Sequence, residues 1–292
     1  MSWVARSVRG ATGSIVALAF VLAIFAPAPA AHAETVRCKA ISRVPTVISR
    51  PGVYCLKKDL ERALSSGAAI EIQSSDVTLD FNGLGIDASG AGAATDATGV
   101  RISDVSRVVV RNGRLVGFRN GVVSVGLGYS IRIEDMTIDG SLERGIDASG
   151  LGGVEIRGNR ITRTGGSTAG DAGDVYGIFC QPTSDARVVG NEVANTAAAP
   201  GGFASYAIRM TGNASVVADN RVTESAENAI YSSNNTAAVL ERNTISNASV
   251  GAGTLGLRFN AGGVGVYRDN TVVQFQTTVS GGTDGGGNVF AP

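Results

Sequence analysis

Short stretches of alternating apolar and polar residues recur along the chain, separated by glycine, asparagine and serine. The stretches are rich in valine and isoleucine, and between them there is no apolar spacing of three to four residues long enough for an amphipathic helix. This pattern predicts short β-strands joined by tight turns through most of the chain.

The strands belong to a repeat of 22 to 32 residues. Each unit contains a step from a small to a larger apolar residue, at Ala69-Ile70, Gly99-Val100, Gly121-Val122, Gly145-Ile146, Gly177-Ile178, Ala207-Ile208, Ala229-Ile230 and Gly256-Leu257. A second pattern, apolar-x-x-Asn-x-apolar, follows about eleven residues later and places its asparagine at Asn159, Asn191, Asn220, Asn243 and Asn270. Earlier units have Gly113 and Met136 in that position.

A chain that returns to the same two strands in every unit can bury its apolar positions only by stacking each turn on the previous one. The predicted fold is therefore all-β, a single-stranded parallel β-helix of about nine coils. Leucine-rich repeats are the structural alternative, but this chain uses valine and isoleucine and has a more variable spacing. We interpret the asparagines as structural, because asparagine tolerates a left-handed backbone and stacked amides can hydrogen-bond between coils.

Three segments carry a resemblance to a known family: residues 48–56, residues 70–72 and residues 76–83, followed by the asparagine-containing coils. Together they resemble the right-handed parallel β-helix repeat proteins of the pectin-lyase-like superfamily, over essentially all of residues 38–290. The resemblance implies a three-faced, right-handed coil with an asparagine ladder at one bend and, where a sugar site exists, a groove along one outer sheet. The superfamily includes lyases, glycoside hydrolases, epimerases and adhesins, so the resemblance leaves the activity open.

Residues 1–33 have the pattern of a secretory signal peptide. Arg6 and Arg9 precede an apolar run from Ile15 to Phe25, and small residues flank the expected cleavage after Ala33. The run is too short to span a bilayer. We therefore expect a secreted or periplasmic protein, with an N-terminal cap at residues 34–68 and the β-helix at 69–292.

Cleavage would remove His32, the single histidine of the sequence. A mature chain without histidine excludes Ser-His-Asp triads and histidine-ligated metals. Export also implies an oxidising compartment, in which Cys38 and Cys55 are expected to form a disulfide, whereas Cys180 is expected to be a buried, inert thiol. The 25 basic and 25 acidic residues balance, so nothing in the charge favours nucleic acid as a partner.

The longest connections, residues 163–176 and 194–206, lie at the same corner of adjacent coils and precede the same strand of the repeat. The outward positions of that strand predict a groove for an extended polysaccharide, because aromatic, arginine and amide side chains alternate there. The predicted substrate-binding residues are Tyr176, Phe179, Gln181, Tyr206, Thr211, Tyr231, Ser233 and Asn260. A solvated outer sheet with scattered aromatic residues is the simpler alternative.

The candidate catalytic residues are Asp147, Arg209 and Arg258. In a lyase, Arg209 or Arg258 would abstract a proton beside a uronate carboxylate, with Ca²⁺ held by Asp147 and by Asp171 and Asp174. A hydrolase would need a second carboxylate beside Asp147, so a uronate lyase is the favoured enzyme class, and no cofactor other than Ca²⁺ is implied. The alternative function is a non-catalytic envelope or adhesion scaffold.

Overall fold

The structure, a computed structural model, describes residues 37–182, 184–212, 214–233, 237–260 and 264–291. The predicted signal peptide lies outside these residues. The described chain contains two 3-10 turns, Ser89–Ala91 and Pro200–Gly202, and no α-helix. Over the same ranges no helix is long and apolar enough to cross a membrane.

The strands, in chain order, are β1 (Lys39–Ile41), β2 (Thr46–Ile48), β3 (Gly52–Leu56), β4 (Leu60–Glu61), β5 (Ala68–Ile72), β6 (Val77–Asp80), β7 (Gly85–Asp87), β8 (Thr98–Ser103), β9 (Val108–Val116), β10 (Asn120–Val125), β11 (Gly128–Asp139), β12 (Arg144–Ser149), β13 (Leu151–Arg157), β14 (Arg160–Thr162) and β15 (Val175–Gln181). They continue with β16 (Ala186–Val189), β17 (Glu192–Thr196), β18 (Ser205–Thr211), β19 (Val216–Ala218), β20 (Arg221–Ser225), β21 (Asn228–Ser233), β22 (Val239–Glu241), β23 (Thr244–Ser246), β24 (Leu255–Phe259), β25 (Val266–Arg268), β26 (Thr271–Val273), β27 (Thr277–Ser280), β28 (Thr283–Asp284) and β29 (Val289–Ala291).

The strands form two parallel sheets, each built by taking strands from successive coils. The ten-stranded sheet runs from β2 through β5, β8, β10, β12, β15, β18, β21 and β24 to β27, and the other nineteen strands form the second sheet. Pairing is parallel and joins each coil to the next, for example β15 to β18 and β16 to β19. The chain is therefore an all-β parallel β-helix, as the repeat predicts.

The interior is filled by one apolar residue per coil in each column, such as Ile146, Ile178, Ile208 and Ile230, all without solvent exposure. The residue that precedes each of these isoleucines is small for a steric reason. A Cβ on Gly177 would lie 2.5 Å from the carbonyl oxygen of Ala207 in the next coil, so no side chain fits at Gly177 unless the backbone shifts.

The asparagine column forms a buried ladder of hydrogen bonds from Asn159 to Asn270. From Asn191 onward, each side-chain oxygen accepts from the backbone and side-chain nitrogens of the preceding asparagine, at 2.9 to 3.0 Å. The predicted coil-to-coil bonding is thus confirmed, but the predicted left-handed backbone is wrong for the asparagines. Within the described chain, positive φ falls on the residue before each asparagine: Gly158, Gly190, Asp219, Arg242 and Asp269.

Cys38 and Cys55 form the predicted disulfide, which joins the chain just before β1 to the neighbouring β3. Cys180 is a buried free thiol, and burial raises its pKa, so it stays protonated. Strands β2 and β3 pair with β5 and β6, which continues the predicted cap segment directly into both sheets.

Candidate functional site

The outer face of the ten-stranded sheet is set by a break in the alternation of each strand. In β18, Ala207 and Ile208 are consecutive and both fully buried, as an extra residue in a strand allows. Tyr206 and Arg209, on either side of this pair, therefore lie on the same outer face. The guanidinium carbon of Arg209 is 5.0 Å from the centre of the Tyr206 ring.

Because the break recurs in each coil, two outward columns run side by side along the sheet. One contains Arg144, Tyr176, Tyr206 and Asn228, paired in register from β12 to β21. The other contains the predicted Asp147, Phe179, Arg209, Tyr231 and Arg258, also in register. Neighbouring strands are about 4.8 Å apart, so each column presents a side chain at that interval.

Stacked rings join the two columns across three coils. Tyr176 stacks on Phe179 with ring centres 4.7 Å apart and on Tyr206 at 5.4 Å, and Tyr206 stacks on Tyr231 at 5.5 Å. Tyr176 and Tyr206 project outward but are only 5% and 7% exposed, so they offer little ring surface to a ligand. Phe179 and Tyr231 are half-buried and form the accessible part of the stack.

Arg209 lies at the centre of these rings. Its guanidinium carbon is between 5.0 and 5.8 Å from the centres of four of them, those of Tyr176, Phe179, Tyr206 and Tyr231. One guanidinium nitrogen donates to the Tyr176 hydroxyl at 3.0 Å and is 3.6 Å from the Asp174 carboxylate. The Arg209 side chain is 24% exposed, which leaves part of the cation open to a ligand.

Arg258 continues the cluster by one coil. Its guanidinium lies 4.7 Å from the Tyr231 ring centre and donates to the side-chain oxygen of Asn228 at 3.2 Å. We refer to Tyr176, Phe179, Tyr206, Arg209, Tyr231 and Arg258 together as the arginine-aromatic cluster.

The other predicted binding residues flank this cluster at the ends of the same strands. Gln181 is exposed and Asn260 is half-buried, whereas Thr211 and Ser233 are buried. The hydroxyl oxygens of Thr211 and Ser233 have no hydrogen-bond partner within the described ranges. The structure thus brings the predicted residues onto one sheet, with Asn260 directly after β24, but leaves these two hydroxyls beneath its surface.

Asp147 lies beside Phe179, one coil before the arginine-aromatic cluster, and is 3% exposed. Its carboxylate accepts from Arg144 at 2.5 Å and from the Ser149 hydroxyl. A shallow, open depression of about 360 Å³ lies over these three side chains and Phe179. The Asp147 carboxylate is thus hydrogen-bonded by two neighbouring side chains of its own strand.

The long loop, residues 163–174, borders the sheet and is anchored at both ends. Near its end, the Asp174 carboxylate accepts from the Tyr176 hydroxyl at 2.7 Å and from the backbone nitrogen of Ala204 at 2.9 Å. Burial and this hydrogen bond raise the pKa of Tyr176, so its phenol stays protonated and does not act as a base. Asp174 thereby joins both long connections to the arginine-aromatic cluster.

The middle of the long loop is held by Arg119, which is 8% exposed. Arg119 donates to Glu143 at 2.7 Å, to Asp96 at 2.7 Å and to Asp171 at 2.9 Å. The backbone of the loop also bonds to earlier coils, including Thr168 to the carbonyl oxygen of Ala93 at 3.0 Å. The loop therefore crosses the corners of three preceding coils.

The three carboxylates considered as Ca²⁺ ligands have separate partners: Asp147 binds Arg144, Asp171 binds Arg119, and Asp174 binds Tyr176 and lies beside Arg209. Across the described ranges, no group of three or more histidine, cysteine, aspartate or glutamate side chains is suited to hold a metal ion. The donor set therefore does not fit a Ca²⁺ ion at these residues.

Sequence reasoning missed Arg144 and Asn228, because strict alternation would place both of them inward with Ile146 and Ile230. The signal was present in the small residues at 145 and 229, which mark the break in alternation. Arg119 was missed because the three carboxylates that surround it come from three different coils.

No protein-family model matches the sequence, and a search of curated proteins finds no match. The fold is shared with solved structures at low identity. The Dettilon tailspike protein aligns with a TM-score of 0.52 and 13% identity, over 86% of this chain and 58% of its own. The catalytic unit of a GH87 α-1,3-glucanase from Streptomyces thermodiastaticus aligns at 0.50 and 17%, over 82% and 57%.

The pectate lyase Pel9A aligns with a TM-score of 0.50 and 11% identity, over 78% of this chain and 68% of its own. The chain thus spans less than two thirds of the tailspike and glucanase chains. At these identities the likeness is one of fold, and the chain is a right-handed parallel β-helix.

Proposed function

We propose that this protein is exported and binds an extended polysaccharide along the outer face of its ten-stranded sheet. The observation that carries the proposal is the arginine-aromatic cluster, in which Phe179 and Tyr231 present ring surface on either side of the partly exposed Arg209 cation. Apolar sugar faces suit such rings, and acidic or hydroxyl groups suit the guanidinium donors of Arg209 and Arg258.

The fold and its neighbours support polysaccharide as the ligand class. A rigid solenoid repeats the same side-chain position in every coil, which suits a polymer with a repeating unit. Two of the structurally similar proteins, the α-1,3-glucanase and the pectate lyase, are named for acting on polysaccharides. Export is supported by the predicted signal segment and by the Cys38–Cys55 disulfide, which requires an oxidising compartment.

The geometry favours binding over cleavage. Arg209, the candidate base, is already engaged, because its guanidinium donates to the Tyr176 hydroxyl at 3.0 Å and lies 3.6 Å from the Asp174 carboxylate. Asp147 accepts from Arg144 and Ser149, so its carboxylate is already engaged. Catalytic roles for Asp147, Arg209 and Arg258 remain predictions that the following experiment tests together with binding.

The exported protein should be measured against pectate, alginate, glycosaminoglycans and neutral glucans, with and without Ca²⁺, recording binding and the ultraviolet absorbance of unsaturated product. We expect saturable binding that falls about ten- to a hundredfold in Arg209→Ala, the effect of losing a charge-assisted contact. Arg101→Ala is the matched control, because Arg101 is exposed in the same column, four coils before Arg209.

Each outcome decides between the alternatives. Binding that the Arg101 variant keeps and the Arg209 variant loses supports the polysaccharide site. Release of unsaturated product would make the protein a lyase. Absence of binding to every glycan would overturn the proposal and favour the non-catalytic scaffold.

A further inference from the structure

The charge of the chain is divided sharply along its length. Residues 37–58 contain six basic side chains and no acidic one, whereas residues 59–291 contain 17 basic and 24 acidic ones. The first 22 described residues therefore carry +6 and the rest of the solenoid carries −7. This division is not used by the proposed polysaccharide site.

The basic residues lie on the surface of the N-terminal layer. All six are exposed: Arg37, Lys39, Arg43, Arg50, Lys57 and Lys58. In the described chain, β1 pairs with β3 and β2 with β5, and neither has a partner strand on its other side, so these strands form the end of the stack. The positive charge is therefore concentrated at one end of a long molecule.

Local contacts hold part of this patch together. The Lys39 ammonium donates to the carbonyl oxygen of Pro51 at 3.0 Å and lies 4.9 Å from the Tyr54 ring centre. The Tyr54 hydroxyl donates to the carbonyl oxygen of Arg50 at 2.8 Å, which places Arg50 beside Lys39. Lys39 of β1 and the turn that carries Arg50 therefore lie side by side, and both residues are exposed.

Two apolar side chains of the same segment are also exposed. Val47 in β2 is 55% exposed and Val53 in β3 is 38% exposed. Apolar groups among lysine and arginine are the composition that binds at the interface of an anionic bilayer, where phosphates attract the cations and the apolar groups enter the headgroup region.

The residue types also distinguish this patch from the later coils. All three lysines of the sequence lie here, whereas the cations of residues 63–291 are arginines. In the later coils arginines pair with carboxylates at fixed positions, such as Arg107 with Asp76 and Arg242 with Asp219 and Glu241. A lysine ammonium is a flexible point charge, which suits a diffuse and mobile surface of phosphates better than one fixed partner.

We infer that the N-terminal layer, residues 37–58, is a docking surface for the anionic phosphate headgroups of a lipid bilayer. The negative remainder of the solenoid would be repelled by the same surface, so the molecule would stand on its N-terminal end. In that orientation the ten-stranded sheet faces sideways and stays open to a polymer. The inference is independent of the proposed polysaccharide binding.

The test is co-sedimentation of the exported protein, with its N-terminus established by mass spectrometry, with lipid vesicles. We expect binding to mixed phosphatidylglycerol and phosphatidylcholine vesicles, weak binding to phosphatidylcholine alone, and loss of binding as salt is raised. The triple variant Arg43→Gln, Arg50→Gln, Lys58→Gln should bind roughly a hundredfold more weakly, at about fivefold for each basic residue.

The matched control removes three exposed arginines from later coils: Arg160→Gln, Arg187→Gln, Arg221→Gln. Its net charge equals that of the first triple variant, so a difference between the two reports position rather than charge. Equal binding by both variants, or equal binding to neutral and anionic vesicles, would overturn the inference. The inference would also be overturned if the exported protein bound soluble anionic polymers but not vesicles, and if the first triple variant lost that polymer binding.

Both triple variants replace exposed side chains, and circular dichroism with denaturant unfolding establishes that they fold. Polysaccharide binding should be unchanged in the first triple variant, because the arginine-aromatic cluster lies on later coils. Loss of vesicle binding with retained polysaccharide binding would separate the two surfaces.

Discussion

Replacing Asn220 with alanine tests how much the asparagine ladder stabilises the solenoid. The Asn220 side chain is 1% exposed and takes part in four hydrogen bonds. Its oxygen accepts from the backbone and side chain of Asn191 at 2.9 and 3.0 Å. Its nitrogen donates to the carbonyl oxygen of Val188 at 2.9 Å and to the side-chain oxygen of Asn243 at 3.0 Å.

The cost follows from the groups that the substitution leaves without partners. The backbone N–H of Asn191, one of its side-chain hydrogens and the carbonyl oxygen of Val188 would each lose a bond in a buried position. At about 1 to 2 kcal/mol for each buried group, the free energy of unfolding should fall by about 3 to 6 kcal/mol. For a domain of this size that corresponds to a fall in Tm of about 10 to 20 °C.

The assay is denaturant unfolding of the Asn220→Ala variant beside Asn195→Ala. Asn195 is an exposed asparagine with a φ of 56°, so its replacement should cost about 1 kcal/mol through the left-handed backbone alone. If the Asn220 variant loses no more stability than the Asn195 variant, the ladder bonds contribute nothing beyond turn conformation, and the reasoning fails.

Three further outcomes are expected. Replacing Arg119 with methionine should loosen the loop of residues 163–174, and hydrogen exchange of its amides should become faster. Unchanged exchange would mean that the backbone hydrogen bonds alone hold the loop in place. Replacing Cys38 with serine should lower the free energy of unfolding by about 3 kcal/mol, because the unfolded chain regains the entropy that the disulfide removes. A variant as stable as the original protein would contradict this. Stability should be constant from neutral pH to about 5 and fall below about 4, because hydrogen bonds from arginine partners lower the pKa of Asp139 and Asp219 and their stabilisation is lost as the carboxylates become protonated. Acid unfolding that begins above pH 5 would argue against this cause.

The repeat in the sequence was sufficient to predict the fold because each coil buries the same columns. Stacking is the only way to bury Ile178, Ile208 and Ile230 at once, and the structure places all three in one column. The outward column from Asp147 to Arg258 could be predicted for the same reason, since it follows the buried residue directly in every coil.

The parts that could not be predicted depend on the backbone or on distant residues. Strict alternation hides the column that contains Arg144, because the break at Gly145 reverses the direction of the preceding side chains. The residue with a left-handed backbone lies just before the asparagine in each turn. Residues as different as Gly158 and Arg242 occupy that position, so their side chains give no common sequence signal. The contacts of Arg119 join residues 23 to 52 positions away, so no local pattern reveals them.

The long loop of residues 163–174 changes how the solenoid should unfold. Stacked repeats interact with their nearest neighbours, so they can open from either end one coil at a time. This loop bonds to Ala93, Arg119 and Ser141 in three earlier coils, and its last residue bonds to Ala204 in the following one. The loop therefore connects five consecutive coils, which should unfold together as one cooperative unit. Local unfolding that starts at either end of the solenoid should stop at the first of these five coils.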